Sequence, residues 1–173
     1  RTVPGLPVLP LLILLLVGAT ETFPKAFASA VLRLWQHPDQ RRELAALPQA
    51  IPTALRECLR YDMPTQFAMR RVKLDFELHG RKLRRGDNLM FLWPAGNRDE
   101  REFPDPDRFD IHRNPLRLLS FGNGIHRCLG AHFAQMEGRV LLEELLARAP
   151  GYEVDESGAQ RDPSELFRGF SRL

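Results

Sequence analysis

Residues 8–19 read VLPLLILLLVGA, a run with no polar side at all. A helix that is apolar all round has to be enclosed by apolar material all round. The run is shorter than the ~20 residues needed to cross a bilayer core, so the sequence predicts a buried core helix and no membrane span. No small-residue cleavage site follows it where a signal peptide would need one. Beyond Thr22 the pattern turns amphipathic, with Phe23, Phe27, Ala30, Val31 and Leu34 close to helical spacing. One helix is therefore expected over 8–35. Pro24 has no N–H to give to the carbonyl of Thr20, so a kink or opening is expected there.

The rest of the composition narrows the class. The chain has 173 residues, 43% of them hydrophobic and 27% charged, a globular balance. That length suits a single domain over 1–173, or part of a larger one. The start at Arg1 rather than Met predicts a fragment or a processed product. The net charge of +3 is too small to imply nucleic acid, and the runs around Arg70 and Arg81 read as solvated faces. Two cysteines exclude a disulfide scaffold and point to a reducing, cytoplasmic setting.

Further helices are expected from Asp39 to about Leu47, over PTALRECLRYD with Pro52 in its first turn, and from about Leu129 to Ala147. In the last of these, Leu129, Phe133, Met136 and Val140 form the predicted core stripe, widened by Leu141, Leu142, Leu145 and Leu146. Strands are expected over 73–78 and 88–93, with a possible short hairpin in the tail. The stretch from Ala95 to Ser120 has no period and is too long for an ordinary connection, which predicts a specific packed role. The expected fold class is mainly α with small β sheets.

Three places carry chemistry. Cys128 lies in FGNGIHRCLG, residues 121–130, at a helix start. Glycines let a backbone turn tightly or approach a flat ligand, and a helix N-terminus favours a thiolate. Such a sulfur could ligate a metal or haem iron; it could equally be a buried structural cysteine. His126 could be a second ligand, but His-x-Cys falls two ligands short of a structural zinc site. Glu57 and Arg60 share a helix face, which by itself fits a surface pair. Glu21 and Thr22 interrupt the apolar helix beside Gly18 and Ala19, either to hold water and relay protons or as a local capping interaction.

Together these segments resemble the cytochrome P450 family, of bacterial type. FGNGIHRCLG matches the signature FxxGxHxCxG at Phe121, Gly124, His126, Cys128 and Gly130. VGATET at 17–22 looks like the oxygen-side motif AGxET, with glycine and alanine in swapped order and Phe23-Pro24 where a second threonine is frequent. Glu57-x-x-Arg60 and FPDPDRF at 103–109 follow in the family's order. The resemblance implies a cytochrome P450 fold of which the chain is the C-terminal portion, a C-terminal fragment running from the oxygen-side helix onward with the N-terminal part absent. It implies haem b (iron protoporphyrin IX) as cofactor, with Cys128 as axial iron ligand. Phe121, Gly122, Gly124 and Gly130 would shape the cysteine loop, His126 and Arg70 would pair with haem propionates, and Gly18 and Ala19 would let the helix pass close to the porphyrin. Glu57, Arg60 and Arg108 would form the family's supporting network. Glu21 and Thr22 would organise proton delivery to dioxygen. Thr65–Ala68 and Leu166–Phe170 would border substrate.

The implied activity is monooxygenation of a small organic substrate, with electrons from a ferredoxin or flavoprotein reductase. Arg113, Arg117 and Arg127 would offer that partner a basic surface. The chain alone is expected to fold poorly, to bind haem weakly or not at all and to be inactive, because of its apolar run. The rivals are a peroxygenase or isomerase of the same fold, a haem-free structural remnant, and a small zinc or redox module using Cys58 and Cys128.

Overall fold

The computed structural model describes residues 7–173; residues 1–6 of the expected 1–173 domain lie outside them. Helix α1 runs Val8–Gln36, α2 Pro38–Ala46, α3 Ile51–Tyr61, α4 Trp93–Gly96 and α5 Ala131–Arg148. Strands β1 Phe67–Arg71, β2 Phe76–Leu78, β3 Arg81–Leu83, β4 Asn88–Leu92, β5 Gln160–Arg161 and β6 Phe170–Arg172 complete the order. The result is mainly α with small sheets, as its residue pattern predicts.

α1 passes Pro24 without ending. The Thr22 hydroxyl donates to Gly18 O at 2.8 Å and that of Thr20 to Leu16 O at 2.9 Å, so side chains take up carbonyls along this stretch. The helix has two unlike halves. Ser29, Ala30, Leu32 and Leu34 are buried, whereas Val8 to Val17 are exposed. The expectation that the apolar run is enclosed on every side is thus overturned among the described residues. By length and composition α1 is also long enough to cross a membrane, because the helix continues well past the apolar run.

The core forms where α1, α3 and α5 meet. Leu34, Leu44, Ile51, Ala54, Leu55, Cys58, Leu142 and Leu146 are its buried side chains, joined by Phe109 and Ile111 from the long coil. Pro52 sits in the first turn of α3, where its missing N–H has no helical role. α5 turns inward only part of the predicted stripe, at Leu142 and Leu146, and leaves its leading residues out. Ala131, Gly138, Leu142 and Leu146 are buried, while Leu129, Phe133, Met136 and Val140 are exposed. Close packing decides this: a Cβ on Gly138 would stand 2.8 Å from Leu55 Cδ2, so the small residue lets α5 approach α3.

Three separate antiparallel pairs make up the sheets: β1–β4, β2–β3 and β5–β6. β1 and β3 are absent from the sequence expectation, and β2 is only the end of the strand expected over 73–78. In β2–β3, His79 and Gly80 take φ of +48° and +74°, the left-handed pair that a two-residue hairpin turn requires. The long coil does pack. Phe103, Phe109 and Ile111 bury their side chains, and Asn97 is fully buried.

Candidate functional site

The cysteine loop is a tight turn in front of α5. Gly122 and Gly124 both adopt φ of +65°, which a side chain would strain. Cys128 N donates to Phe121 O at 2.8 Å, closing the loop on itself. Phe121 is half-buried against the core cluster, so this bond fastens the exposed cysteine to the packed interior. Gly130, by contrast, has an ordinary φ of −85°; what it offers is space. A Cβ at Gly124 or Gly130 would meet nothing within 4 Å. Next to the thiol, apolar Ile125 (97% exposed) and Leu129 (82%) stand open alongside exposed His126 and Arg127.

A buried ion network joins α3 to the long coil that leads to this loop. Glu57 and Arg60 are both fully buried. Arg60 Nε donates to Glu57 Oε2 at 2.7 Å and its Nη2 to Oε1 at 2.8 Å, a bidentate pair. Arg60 Nη1 donates to the carbonyls of Asn97 and Pro106, each at 2.9 Å. Glu57 Oε1 also accepts from Asp110 N at 3.1 Å and Arg113 Nε at 3.3 Å. A buried pair is tolerated when its remaining donors and acceptors are met in this way.

The third arginine is therefore Arg113. The Arg108 side chain is exposed and reaches Asp110, not Glu57. Arg108 contributes only its carbonyl, which accepts from Arg60 Nη2 at 3.4 Å and Arg113 Nη2 at 3.3 Å. In the sequence Arg108 is the stronger candidate because it sits in FPDPDRF, yet the chain reverses at Asp105, with φ of +49°, and presents Arg113 instead. This also removes Arg113 from the expected basic surface, since its side chain is 11% exposed.

Asn97 is a further organising residue, and no motif or spacing singles it out in the sequence. Its Oδ1 accepts from Leu119 N at 2.7 Å and its Nδ2 donates to Ser120 Oγ at 2.9 Å. Ser120 Oγ donates onward to Leu59 O at 2.7 Å. The long coil is thus tied to α3 immediately before the cysteine loop begins.

On α1, Glu21 and Thr22 do not contact each other through their side chains. Thr22 donates to Gly18 O, and Glu21 Oε2 accepts from Lys25 Nζ at 2.8 Å. Gly18 and Ala19 lie on the exposed half, and a Cβ at Gly18 would meet nothing within 4 Å. Arg70, on β1, donates to the carbonyl of Met69 at 2.8 Å; His126 is exposed in the one-turn helix Gly124–His126. The two segments expected to border substrate do meet, since Thr65 bridges Phe167 and Gln66 N donates to Leu166 O at 2.9 Å.

Among the described residues no three His, Cys, Asp or Glu side chains cluster to hold a metal ion. Cys58 is buried and desolvation pushes its thiol far above the usual range, so it does not join Cys128 in a zinc or redox module. One accessible thiol, with open space at the neighbouring glycines and apolar Ile125 and Leu129 nearby, is instead the donor set for a flat macrocycle that brings its own equatorial ligands.

The family model for cytochrome P450 matches residues 10–170. The chain belongs to the cytochrome P450 family. Haem b is the defining cofactor of that family, and the P450 cysteine loop described above fits it. The match runs over nearly the whole chain rather than being confined to one part of it. A cytochrome P450 of Mycobacterium tuberculosis is 40% identical over 167 residues, covering 96% of this chain and 42% of its own length. The solved structure of P450BioI in complex with hexadec-9Z-enoic acid ligated acyl carrier protein superposes with a TM-score of 0.89 at 38% identity, over 93% of this chain and 42% of that one. That of CYP109E1 from Bacillus megaterium in complex with corticosterone gives 0.93 at 30% identity, over 100% and 47%. The chain spans about 42% of the length of the first curated relatives it matches.

Proposed function

We propose that this protein is a haem-thiolate monooxygenase that inserts one oxygen atom of dioxygen into a small organic substrate. Two electrons would come from a separate ferredoxin or flavoprotein reductase. The observation that carries this reading is Cys128, exposed on a loop braced by two left-handed glycines and the Phe121 carbonyl. When bound, haem supplies the oxygen-activating chemistry, which a thiolate ligand favours by pushing electron density toward iron.

The chain's residues would do the rest. Cys128 would hold the iron, and the apolar rim at Ile125 and Leu129 would exclude water from the macrocycle's face. His126 and Arg70 would pair with the propionates. Glu21, one oxygen of which Lys25 engages, and Thr22, whose hydroxyl donates to Gly18 O, would organise proton delivery. Glu57, Arg60 and Arg113 would keep the coil and loop in shape without touching substrate. Arg127 and Arg117 remain for an acidic redox partner, though Arg117 already stands 3.5 Å from Glu102.

An apolar substrate suits this reading, given a fatty acyl group in one relative's solved complex and a steroid in another's. A cytoplasmic setting without a membrane span is proposed because the C-terminal half of α1 packs into the protein core.

Haem titration tests the proposal. Against the sequence expectation of poor folding, the packed core and the buried Glu57–Arg60–Arg113 network lead us to expect that the chain takes up haem and gives the ferrous–carbon monoxide band of a thiolate ligand, and that Cys128→Ser loses that band. Turnover is expected with a ferredoxin and its reductase but not with hydrogen peroxide alone. A retained band in Cys128→Ser, or peroxide-only turnover, overturns it.

A further inference from the structure

Lys25 lies one helical turn beyond the Glu21–Thr22 pair and is buried, at 8% exposure. Its Nζ stands 2.8 Å from Glu21 Oε2 and 3.1 Å from Asp162 Oδ2. Asp162 opens the turn that leads from β5 to β6. Its Oδ1 accepts from Ser164 N at 2.9 Å, and its own amide donates to Gly169 O at 3.1 Å. One carboxylate oxygen of Asp162 therefore braces the turn while the other holds α1.

The stem of Lys25 is held as firmly as its charge. A Cβ on Gly169 would stand 2.5 Å from both Cβ and Cγ of Lys25, so only glycine admits the lysine there. An exposed Glu–Lys pair one turn apart on a helix does little to fix either side chain. Here the lysine side chain is only 10% exposed, its ammonium is shared by two carboxylates and its stem is wedged against Gly169, which holds it more firmly than an exposed pair would. The Glu21 hydrogen bond is the foremost influence raising the lysine above its ordinary range, so it stays charged.

The opposite side of the same turn is tied to the chain after α3. Arg168 N donates to Pro64 O at 2.7 Å, and Gln66 N to Leu166 O at 2.9 Å. The turn thus joins the acid of α1 to the stretch that leads into β1.

We propose that Lys25 is a positioning residue: it fixes the orientation of the carboxylate of Glu21, the acid that precedes Thr22, and, through Asp162, makes that orientation depend on how the 162–169 turn is seated. Its consequence for turnover rests on the monooxygenase reading; the clamp rests on the contacts alone. A substrate that displaces the turn would move the acid with it.

Two arms of one experiment test this in the haem-loaded protein. Hydrogen exchange at the Asp162 and Ser164 amides is expected to quicken about tenfold in Lys25→Met and in Asp162→Asn, with no further gain in the double variant. Gly169→Ala is expected to quicken it in the wild-type background and to add less in Lys25→Ala, where the Cγ and Cδ contacts are gone and only the 2.5 Å Cβ contact remains. With a ferredoxin and its reductase, Lys25→Met is expected to release about threefold more hydrogen peroxide per electron pair, and to lower kcat with KM little changed. Unchanged exchange in Lys25→Met overturns the clamp. Faster exchange with unchanged peroxide release and kcat leaves Lys25 as a structural brace and overturns its positioning role. Failure of the wild-type chain to show the thiolate band overturns the monooxygenase reading and the consequence for turnover, while the exchange arm still decides the clamp.

Discussion

At the scale of the residue, burial separates three arginines that look alike in sequence. Arg60 is fully buried and spends its guanidinium on Glu57 and two carbonyls. Arg113 shares Glu57 from a nearly buried position, and Arg108 points outward to Asp110. Removing one partner of a buried pair leaves the other charge uncompensated, at a cost of about 3–5 kcal/mol. Arg60→Met is expected to cost that much. Arg113→Met should cost about 1–2 kcal/mol, because Arg60 still pairs with Glu57. Arg108→Ala should leave stability unchanged, since its exposed charge pair is screened by water. Urea unfolding of the three variants reads this order directly; equal losses in Arg108→Ala and Arg113→Met would refute it.

At the scale of the element, Tyr152 shows how the segment after α5 holds two helices together. Its hydroxyl donates to Val31 O on α1 at 2.7 Å, while Arg41 of α2 donates to its carbonyl at 2.6 Å and lies 4.5 Å from its ring centroid. Burial is the chief reason its phenol is pushed up to about 12, with Arg41 opposing. A folded value above the unfolded value of about 10 means the protonated ring contributes stability fully below about pH 10. That contribution falls away as pH rises toward about 12. Absorbance titration is expected to find one tyrosine ionising near 12. Tyr152→Phe should lose about 1 kcal/mol at neutral pH and abolish that alkaline loss. An alkaline limb that survives in Tyr152→Phe would assign the effect elsewhere.

At the scale of the whole molecule, the described surface is strongly divided. One region is packed around α3, while Val8 to Val17 on α1 and, separately, Leu129, Phe133, Met136 and Val140 stand in the open. Apolar area on that scale exceeds what isolated soluble proteins expose and marks surfaces that bind something apolar. An apolar-surface dye is expected to bind this chain strongly, and Leu9→Glu with Leu12→Glu and Leu16→Glu to reduce its fluorescence several-fold. Fluorescence indifferent to all three charges would show that the α1 surface is covered in solution.

Some of this architecture is written in the chain itself. Helix lengths, the turn at His79-Gly80 and the glycines around Cys128 follow from local sterics, which act over a few residues and can be seen in a few letters. The family motif is legible for the same reason, because a thiol presented on a strained loop needs particular residues at fixed short spacings. Other features depend on which surfaces meet. Phe133 is not what decides the inner face of α5; Gly138 does, by admitting Leu55, and no periodicity of large residues announces a small one. Arg113 replaces Arg108, and Lys25 finds Asp162, only because distant segments are brought within hydrogen-bond reach. Local geometry is fixed by neighbours along the chain, whereas the partner of a buried charge is fixed by packing in three dimensions.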